Sequence, residues 1–367
     1  MISRNPWLDQ VKGIACLLVI SHHLAFYGPM VDVFEPFFGR TVSWFREYAR
    51  MAVQVFLVVG GYLSAAALAP QGDARPGPLL PRLSKRYARL VLPYGVGLIL
   101  TIAVTELIRQ WGFNHASMSS PPSLLQFIAH LVLLHGVFGW ESLSAGVWYV
   151  AIDFQLFALT VIWFGITRNP AVMTRFPLSA VINYMPQSGV ACLTALSLLV
   201  WNRDSTLDAW ALYFYGAYGL GLMAWWAAHP PNTRVRLYWC CFIVVLVAVA
   251  LTVQWRDRIA VAGIAATLLA LSTAIAWPQV VQRGLLTPLQ RLGQISYSVF
   301  LIHFGMSLLV NAVIHTLWPR SVWANGLGIV GAIALSIWAG SLLYRYVENK
   351  RWAGVFGQRA FFKDNAI

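Results

Sequence analysis

Ten stretches of about twenty mostly apolar residues follow one another along the chain, at approximately 11–28, 50–69, 88–108, 147–166, 181–201, 209–228, 237–255, 259–278, 293–315 and 323–346. A helix rises about 1.5 Å per residue, so each run is long enough to cross a hydrocarbon layer about 30 Å thick. The expected fold class is therefore all-α: a polytopic bundle of about ten transmembrane helices. Composition agrees. Of the 367 residues, 59% are hydrophobic and 11% charged, against roughly 25% charged in a soluble domain. So few polar residues could not cover so much apolar surface, which excludes an ordinary soluble enzyme.

Charge sets the expected orientation. The net charge of +13 comes from 26 Lys and Arg against 13 Asp and Glu. With the N-terminus inside, most of the 26 fall in the inner loops and tails, which places both termini in the cytoplasm. A multi-pass location in the cell membrane, a bacterial inner membrane by this reading, follows. No zinc finger or long basic run points to nucleic acid, so the positive charge is read as lying against anionic lipid or a phosphate-bearing substrate. The first run contains His22 and His23 and lacks a small-residue cleavage pattern, so it is expected to stay as a membrane helix. A shorter apolar segment, 124–138, carries His130 and His135 after Pro121 and Pro122 and is read as re-entrant or interfacial. If it crossed, every later span would flip. Cys16, Cys192, Cys240 and Cys241 lie in apolar runs without Cys-x-x-Cys spacing and are read as ordinary buried thiols. The chain divides into one membrane domain, 1–350, and a short cytoplasmic tail, 351–367.

Ionisable residues inside spans are costly and usually face a cavity or a partner, so the few present carry information. The first span has Lys12, His22 and His23, the fourth Asp153 with Gln155, and the ninth His303. Counting the helical rise from the inner boundary, His23 lies roughly 18 Å in, His303 roughly 15 Å and Asp153 roughly 21 Å. Two imidazoles and a carboxylate at one level can make a site in which a neutral imidazole takes a proton from a hydroxyl and a carboxylate holds its tautomer. The same residues could equally be hydrogen-bonded packing groups or a transporter's proton relay. A metal is disfavoured, because adjacent histidines on one helix point about 100° apart.

A basic run, Arg82, Lys85, Arg86 and Arg89, stands at the inner mouth of the third span. Its three- to four-residue spacing puts most of it on one helical face, where guanidinium groups can grip several phosphates. Anchoring to lipid head groups would use the same pattern. Trp44, Trp140, Trp148, Tyr149 and Trp210 near outer span ends could stack on sugar rings, as they could form an interfacial aromatic belt.

Taken in order, these segments resemble the acyltransferase-three family of integral membrane acyltransferases. The opening LDQVKGIA (8–15) followed by His22 and His23 is similar to that family's first span, in which a basic residue precedes a catalytic histidine by eleven positions. Lys12 stands in the usual Arg place and His23 in the histidine place. VFLVVGGYL (55–63) resembles the second-span stretch, with Gly60 where the family usually has Ser, and Arg86 to Pro93 resembles the entry to the third. Trp148 to Gln155 is similar to a Trp…Glu-x-Gln motif with Asp153 in the Glu place. GQISYSVFLIH (293–303) and Tyr346 to Glu348 resemble the late motifs. Lys12 cannot make the bidentate contacts of Arg, and Asp153 is one methylene short of Glu, so a shift of the acceptor geometry from the family's is expected.

The resemblance implies an O-acyltransferase. It would carry an acyl group, acetyl above all, from acyl-coenzyme A to a hydroxyl of a carbohydrate or of a lipid-linked or surface glycan. His23 would be the general base, with Asp153 or His22 orienting it and His303 at the oxyanion or the acceptor. The coenzyme phosphates would meet Lys12, Arg82, Lys85, Arg86 and Arg89. Acetyl-coenzyme A is then a co-substrate and no cofactor is permanently bound. Implied partners are the coenzyme, the glycan acceptor and membrane lipids; a homo-oligomer is compatible, and nucleic acid is not expected. Transfer through an acyl-histidine stays open beside direct transfer. The competing class is a proton-coupled transporter or flippase, which would need no coenzyme site.

Overall fold

The computed structural model describes residues 6–168, 179–274 and 286–350, so the tail 351–367 lies outside the described residues. The protein is an all-α, polytopic, membrane-spanning chain. Its helices are α1 (Pro6–Phe26), α2 (Pro29–Glu47), α3 (Ala52–Leu68), α4 (Leu79–Gln110), α5 (Leu124–Leu131), α6 (Val147–Thr167), α7 (Ser179–Leu199), α8 (Ala211–Ala228), α9 (Thr233–Val253), α10 (Asp257–Leu271), α11 (Thr287–Leu317) and α12 (Val322–Leu343), the last running into a π-turn at Tyr344–Glu348.

Each of the ten expected runs forms a helix, yet length and apolarity alone single out seven candidate spans among the described residues. The three left over have physical reasons. α1 carries Asp9, Lys12 and two histidines, α10 is only 15 residues long, and α8 mixes Tyr, Trp and Gly into a stretch almost wholly buried by protein. One further element departs from expectation and another is shorter than its apolar run. Residues 29–47, expected as a connection, form α2, kinked at Phe38 after the internal Pro36. The segment read as re-entrant or interfacial contains α5, whose eight residues span only about 12 Å and cannot cross. The cysteines also differ: Cys16 is buried, but Cys192 and Cys241 are exposed.

The chain divides into two compact units: Met1–Ala52, Arg89–Trp148 and Pro278–Ile367 in the first, Val53–Ala88 and Tyr149–Trp277 in the second.

In the first unit α11 is the central helix. It runs parallel to α1, with Gly13 against the backbone of Leu289, Gly293 against the backbone of Asp9, and the Cys16 thiol facing the Ser296 carbonyl at 3.9 Å. A Cβ at Gly13 or Gly293 would collide with main chain, so the two glycines set how closely the helices approach. The buried residues Asp9, Gly13, Cys16, Ile20 and His23 recur at the spacing of a coiled-coil seam, as do Gly293, Ser296, Phe300, His303 and Ser307 on the partner helix. α4 also runs parallel to α11: the Tyr297 hydroxyl donates to the Leu90 carbonyl at 2.8 Å, Gly97 abuts Leu301, and Thr101 abuts Gly305. α12 returns antiparallel, with Gly340 against Val299 and Gly328 against Ile314. α1 stops at Gly28, whose φ of 108° suits glycine and whose missing side chain leaves room for Asn311. Arg46 then ties α2 back, reaching the Ala25 carbonyl at 3.1 Å and forking onto Glu35 at 2.9 and 2.8 Å.

In the second unit α3 and α8 run antiparallel through reciprocal glycine contacts, Gly61 on Tyr218 and Gly221 on Val58. α7 and α8 form a hairpin in which Gly216 and Gly219 accept Leu198 and Thr194. The Ser197 hydroxyl fills the turn between them, donating to the Leu212 and Tyr213 carbonyls.

Candidate active site

Two of the residues expected at the site meet on the α1–α11 seam. His23 Nδ1 lies 2.5 Å from His303 Nε2, and the ring planes differ by 10° with centroids 4.8 Å apart. Nitrogens so much closer than centroids mean that the rings meet edge to edge, in plane, as a hydrogen bond requires. The direction of that bond follows from the far side. His303 Nδ1 lies 2.7 Å from the Phe300 carbonyl, which can only accept, so Nδ1 carries the proton and Nε2 of His303 is left as an acceptor. His23 must then donate from Nδ1, which leaves the lone pair of the neutral His23 ring on Nε2. A chain of two bonds thus fixes both tautomers. His303 is fully buried, whereas His23 keeps 8% of its surface exposed, so His23 is the member that a substrate can reach.

The surroundings hold His23 in place. Tyr27 lies 5.7 Å from it, ring to ring, and packs edge-on against Phe304 at 5.3 Å. Gly146, with φ at 88°, closes another side: a Cβ there would stand 3.0 Å from Phe300 and 3.3 Å from His23 Cε1. The segment ending in Gly146 is anchored on α5, where His130 accepts from the Leu143 amide at 3.2 Å and Gln126 donates to the Glu141 carbonyl at 2.9 Å. His135 stacks on His130 with centroids 4.0 Å apart.

The other expected site residues take other partners. His22 turns from the pair, its Nδ1 lying 3.3 Å from the Phe45 carbonyl. Lys12 pairs with Asp9 at 2.7 Å one turn earlier, and Gln294 reaches the same carboxylate at 3.5 Å. Asp153 does not stand alone as an orienter: in the second unit its carboxylate accepts from Arg86 at 2.6 Å, beneath Gly60, where a Cβ would come within 3.1 Å of Asp153 Oδ1. Arg86 also lies 5.3 Å over the Phe157 ring. Arg82 is spent on the Arg75 and Pro76 carbonyls at 3.0 and 2.8 Å. Lys85 and Arg89 are exposed. In the first unit the Ser298 hydroxyl donates to Glu348 at 2.5 Å, and the charges of Arg89 and Lys12 reach the same carboxylate.

Sequence reading paired the base with Asp153 or His22 and did not anticipate Tyr27, Phe300 or Gly146. The carbonyl of Phe300 has no side-chain signature, but its spacing three residues before His303 was available.

No curated protein and no solved structure matches the chain. A family profile does: the acyltransferase domain matches residues 5–345, nearly the whole length and all twelve helices α1 to α12. With its all-α membrane-spanning fold and that match, the chain belongs to the acyltransferase-three family of membrane-embedded acyltransferases.

Proposed function

We propose that the protein transfers an acyl group, acetyl in the simplest case, from acyl-coenzyme A to a hydroxyl of a carbohydrate or lipid-linked glycan, with both termini at the cytoplasmic face of a cell membrane. The observation that carries this reading is the chain from the Phe300 carbonyl through His303 to His23, which presents a basic Nε2 at the more accessible imidazole of the pair. In the reaction the acceptor O–H gives its proton to His23 Nε2 while its oxygen attacks the thioester carbonyl. The C–S bond breaks, the ester forms, and the departing thiolate takes the proton back from His23. His303 steadies the imidazolium through the Nδ1–H bond, a hydrogen bond that strengthens as charge develops.

Within the unit that holds the pair, Arg89 is exposed at the α4 end nearer the N-terminus, and we assign it, with Lys12, to the coenzyme phosphates. Arg86 and Asp153 serve instead as a structural ion pair of the second unit. Direct transfer through one ternary complex is the route that a base at Nε2 supports.

The test is purified protein in nanodiscs with labelled acetyl-coenzyme A and a glycan panel. Labelled ester should form, initial-rate lines should intersect, and His23→Ala should lower transfer about 10²- to 10⁴-fold with its melting temperature unchanged. Folded protein that binds no coenzyme, or a His23→Ala variant with near wild-type activity, refutes the proposal.

A further inference from the structure

One edge of the base is covered by main chain. Residues 140–146 form a strap without helix that leads into α6 and meets His23 at Gly146, where a Cβ would stand 3.3 Å from Cε1 of the ring. Cε1 is bonded to both ring nitrogens, and Nδ1 is taken by His303, so the strap borders Nε2, the nitrogen that receives the acceptor's proton. The strap is also deep in the protein. Leu143 is 1% exposed, and Ala145 packs in one apolar cluster with Tyr27 and Phe304. Irregular chain buried in this way must find partners for its amides and carbonyls outside itself.

Those partners come from α5 and the chain just after it. The Trp140 amide donates to the His135 carbonyl at 2.9 Å, and Gln126 Nε2 donates to the Glu141 carbonyl at 2.9 Å. The Leu143 amide, three residues before Gly146, donates to His130 Nε2 at 3.2 Å. His130 can accept there because of its other nitrogen. Nδ1 lies 2.8 Å from the Gln126 carbonyl four residues back, which can only accept, so Nδ1 carries the proton and Nε2 the lone pair. The ring is fully buried and stacks on His135 with centroids 4.0 Å apart. A buried imidazole with a fixed tautomer is thus committed to one main-chain amide, beside the residue that touches the base.

We infer that His130 is a positioning residue that clamps the strap against His23, keeping water from the thioester so that the acyl group goes to the acceptor rather than to hydrolysis. This role rests on the acyl-transfer reading. With the strap loosened, His23 takes a proton from water in place of the acceptor hydroxyl. The water oxygen attacks the thioester carbonyl, the C–S bond breaks, and the proton returns from His23 to the thiolate. The products are the free carboxylic acid and the coenzyme thiol. The strap therefore governs which O–H reaches Nε2, while His303 governs the base itself.

The experiment compares wild type with His130→Phe, His130→Gln and Gln126→Leu at saturating acceptor, measuring both the ester formed and the acetyl-coenzyme A hydrolysed. His130→Phe keeps a ring on His135 and loses the acceptor; His130→Gln offers a side-chain oxygen in the place of Nε2. Hydrolysis per ester formed should rise about tenfold in His130→Phe, with the coenzyme KM within about twofold, and should return to within about threefold of wild type in His130→Gln. A structural role alone would lower ester formation and hydrolysis together. Either that equal fall or an unchanged ratio in folded His130→Phe overturns the inference. Should the phenylalanine variant fail to fold, Gln126→Leu, which frees the Glu141 carbonyl, decides: a smaller rise in the ratio sustains the clamp and no rise overturns it. Should wild type transfer nothing, the acyl-transfer reading fails, and the clamp is tested by the rate at which diethyl pyrocarbonate modifies His23, mapped by peptide fragmentation. A rate about tenfold faster in His130→Phe than in wild type sustains it, and an unchanged rate overturns it.

Discussion

If His303 works by holding and then sharing the charge of His23, truncating it should cost a definite and limited amount. The bond between the rings is neutral at rest and becomes charge-assisted only when His23 takes the acceptor's proton. It is buried, in plane, and 2.5 Å long between nitrogens. A hydrogen bond to a charged group contributes about 1.5–3 kcal/mol, which corresponds to about 10- to 150-fold in rate. His303→Ala should therefore lower kcat by about that factor with little change in the coenzyme KM. His303→Gln, whose side-chain oxygen can accept where Nε2 did, should recover much of it. His23→Ala removes the base itself and should cost about 10²- to 10⁴-fold. The decisive assay is the double-mutant cycle on kcat in nanodiscs: once His23 is alanine, the second change should cost almost nothing, because there is no imidazolium left to stabilise. Equal and additive losses, or a His303→Ala enzyme within twofold of wild type at the same melting temperature, would refute the relay.

Three other outcomes follow from the packing. Gly293→Ala drives a methyl into the Asp9 main chain, so it should cost about 1–3 kcal/mol in SDS unfolding and, by parting the seam, more than tenfold in activity; wild-type stability would sink the close-approach account. Asp153→Asn leaves the Arg86 charge uncompensated and should cost about 3–5 kcal/mol, whereas Arg86→Met with Asp153→Leu should recover most of that loss; a double variant as unstable as the sum of the singles would show a role beyond the pair. Burial pushes the His135 imidazole down to about 3, and the unfolded chain takes up a proton near pH 6.5, so the fold should lose stability as pH falls from 6.5 toward 3. The loss should be about 2 kcal/mol by pH 5 and should vanish in His135→Leu, as read by unfolding at pH 7 and pH 5.

The parts of this architecture that were legible in the sequence are those written in long-period patterns. Ten apolar runs gave ten helices, because twenty apolar residues in lipid have few other ways to pair their backbone. The common depth of His23 and His303 was also readable, since both lie a similar number of residues along spans entered from one side; what rise-counting could not supply was that α1 and α11 are neighbours. Asp153 shared the depth but answers to Arg86, a residue eight positions into α4 whose own run of charges read as a phosphate grip. Depth is a one-dimensional coordinate, and pairing requires the two that a helical wheel and a neighbour provide. Helix α2 was hidden for a different reason: its Asp32, Glu35, Arg40 and Arg46 break the apolar count, although the Glu35–Arg46 fork is what secures it to the end of α1.

The seam that joins the histidines explains why small residues precede the imidazoles along both of its helices. Gly13, Cys16, Gly293 and Ser296 bring two backbones close enough that side chains one or two turns further on must meet rather than interleave. At the level of residues 23 and 303 two apolar side chains could fill that space at no electrostatic cost. Two imidazoles there are tolerable only because Phe300 turns one of them into an acceptor for the other, satisfying three of the four ring nitrogens. The fourth, Nε2 of His23, is the atom that the fold leaves without an internal claim in that chain. A packing-only role would predict that replacing both rings with leucine stabilises the protein and spares its chemistry; a base poised on the seam predicts that the same double change stabilises the protein and silences it. Measuring unfolding and acyl transfer on that one variant separates the two.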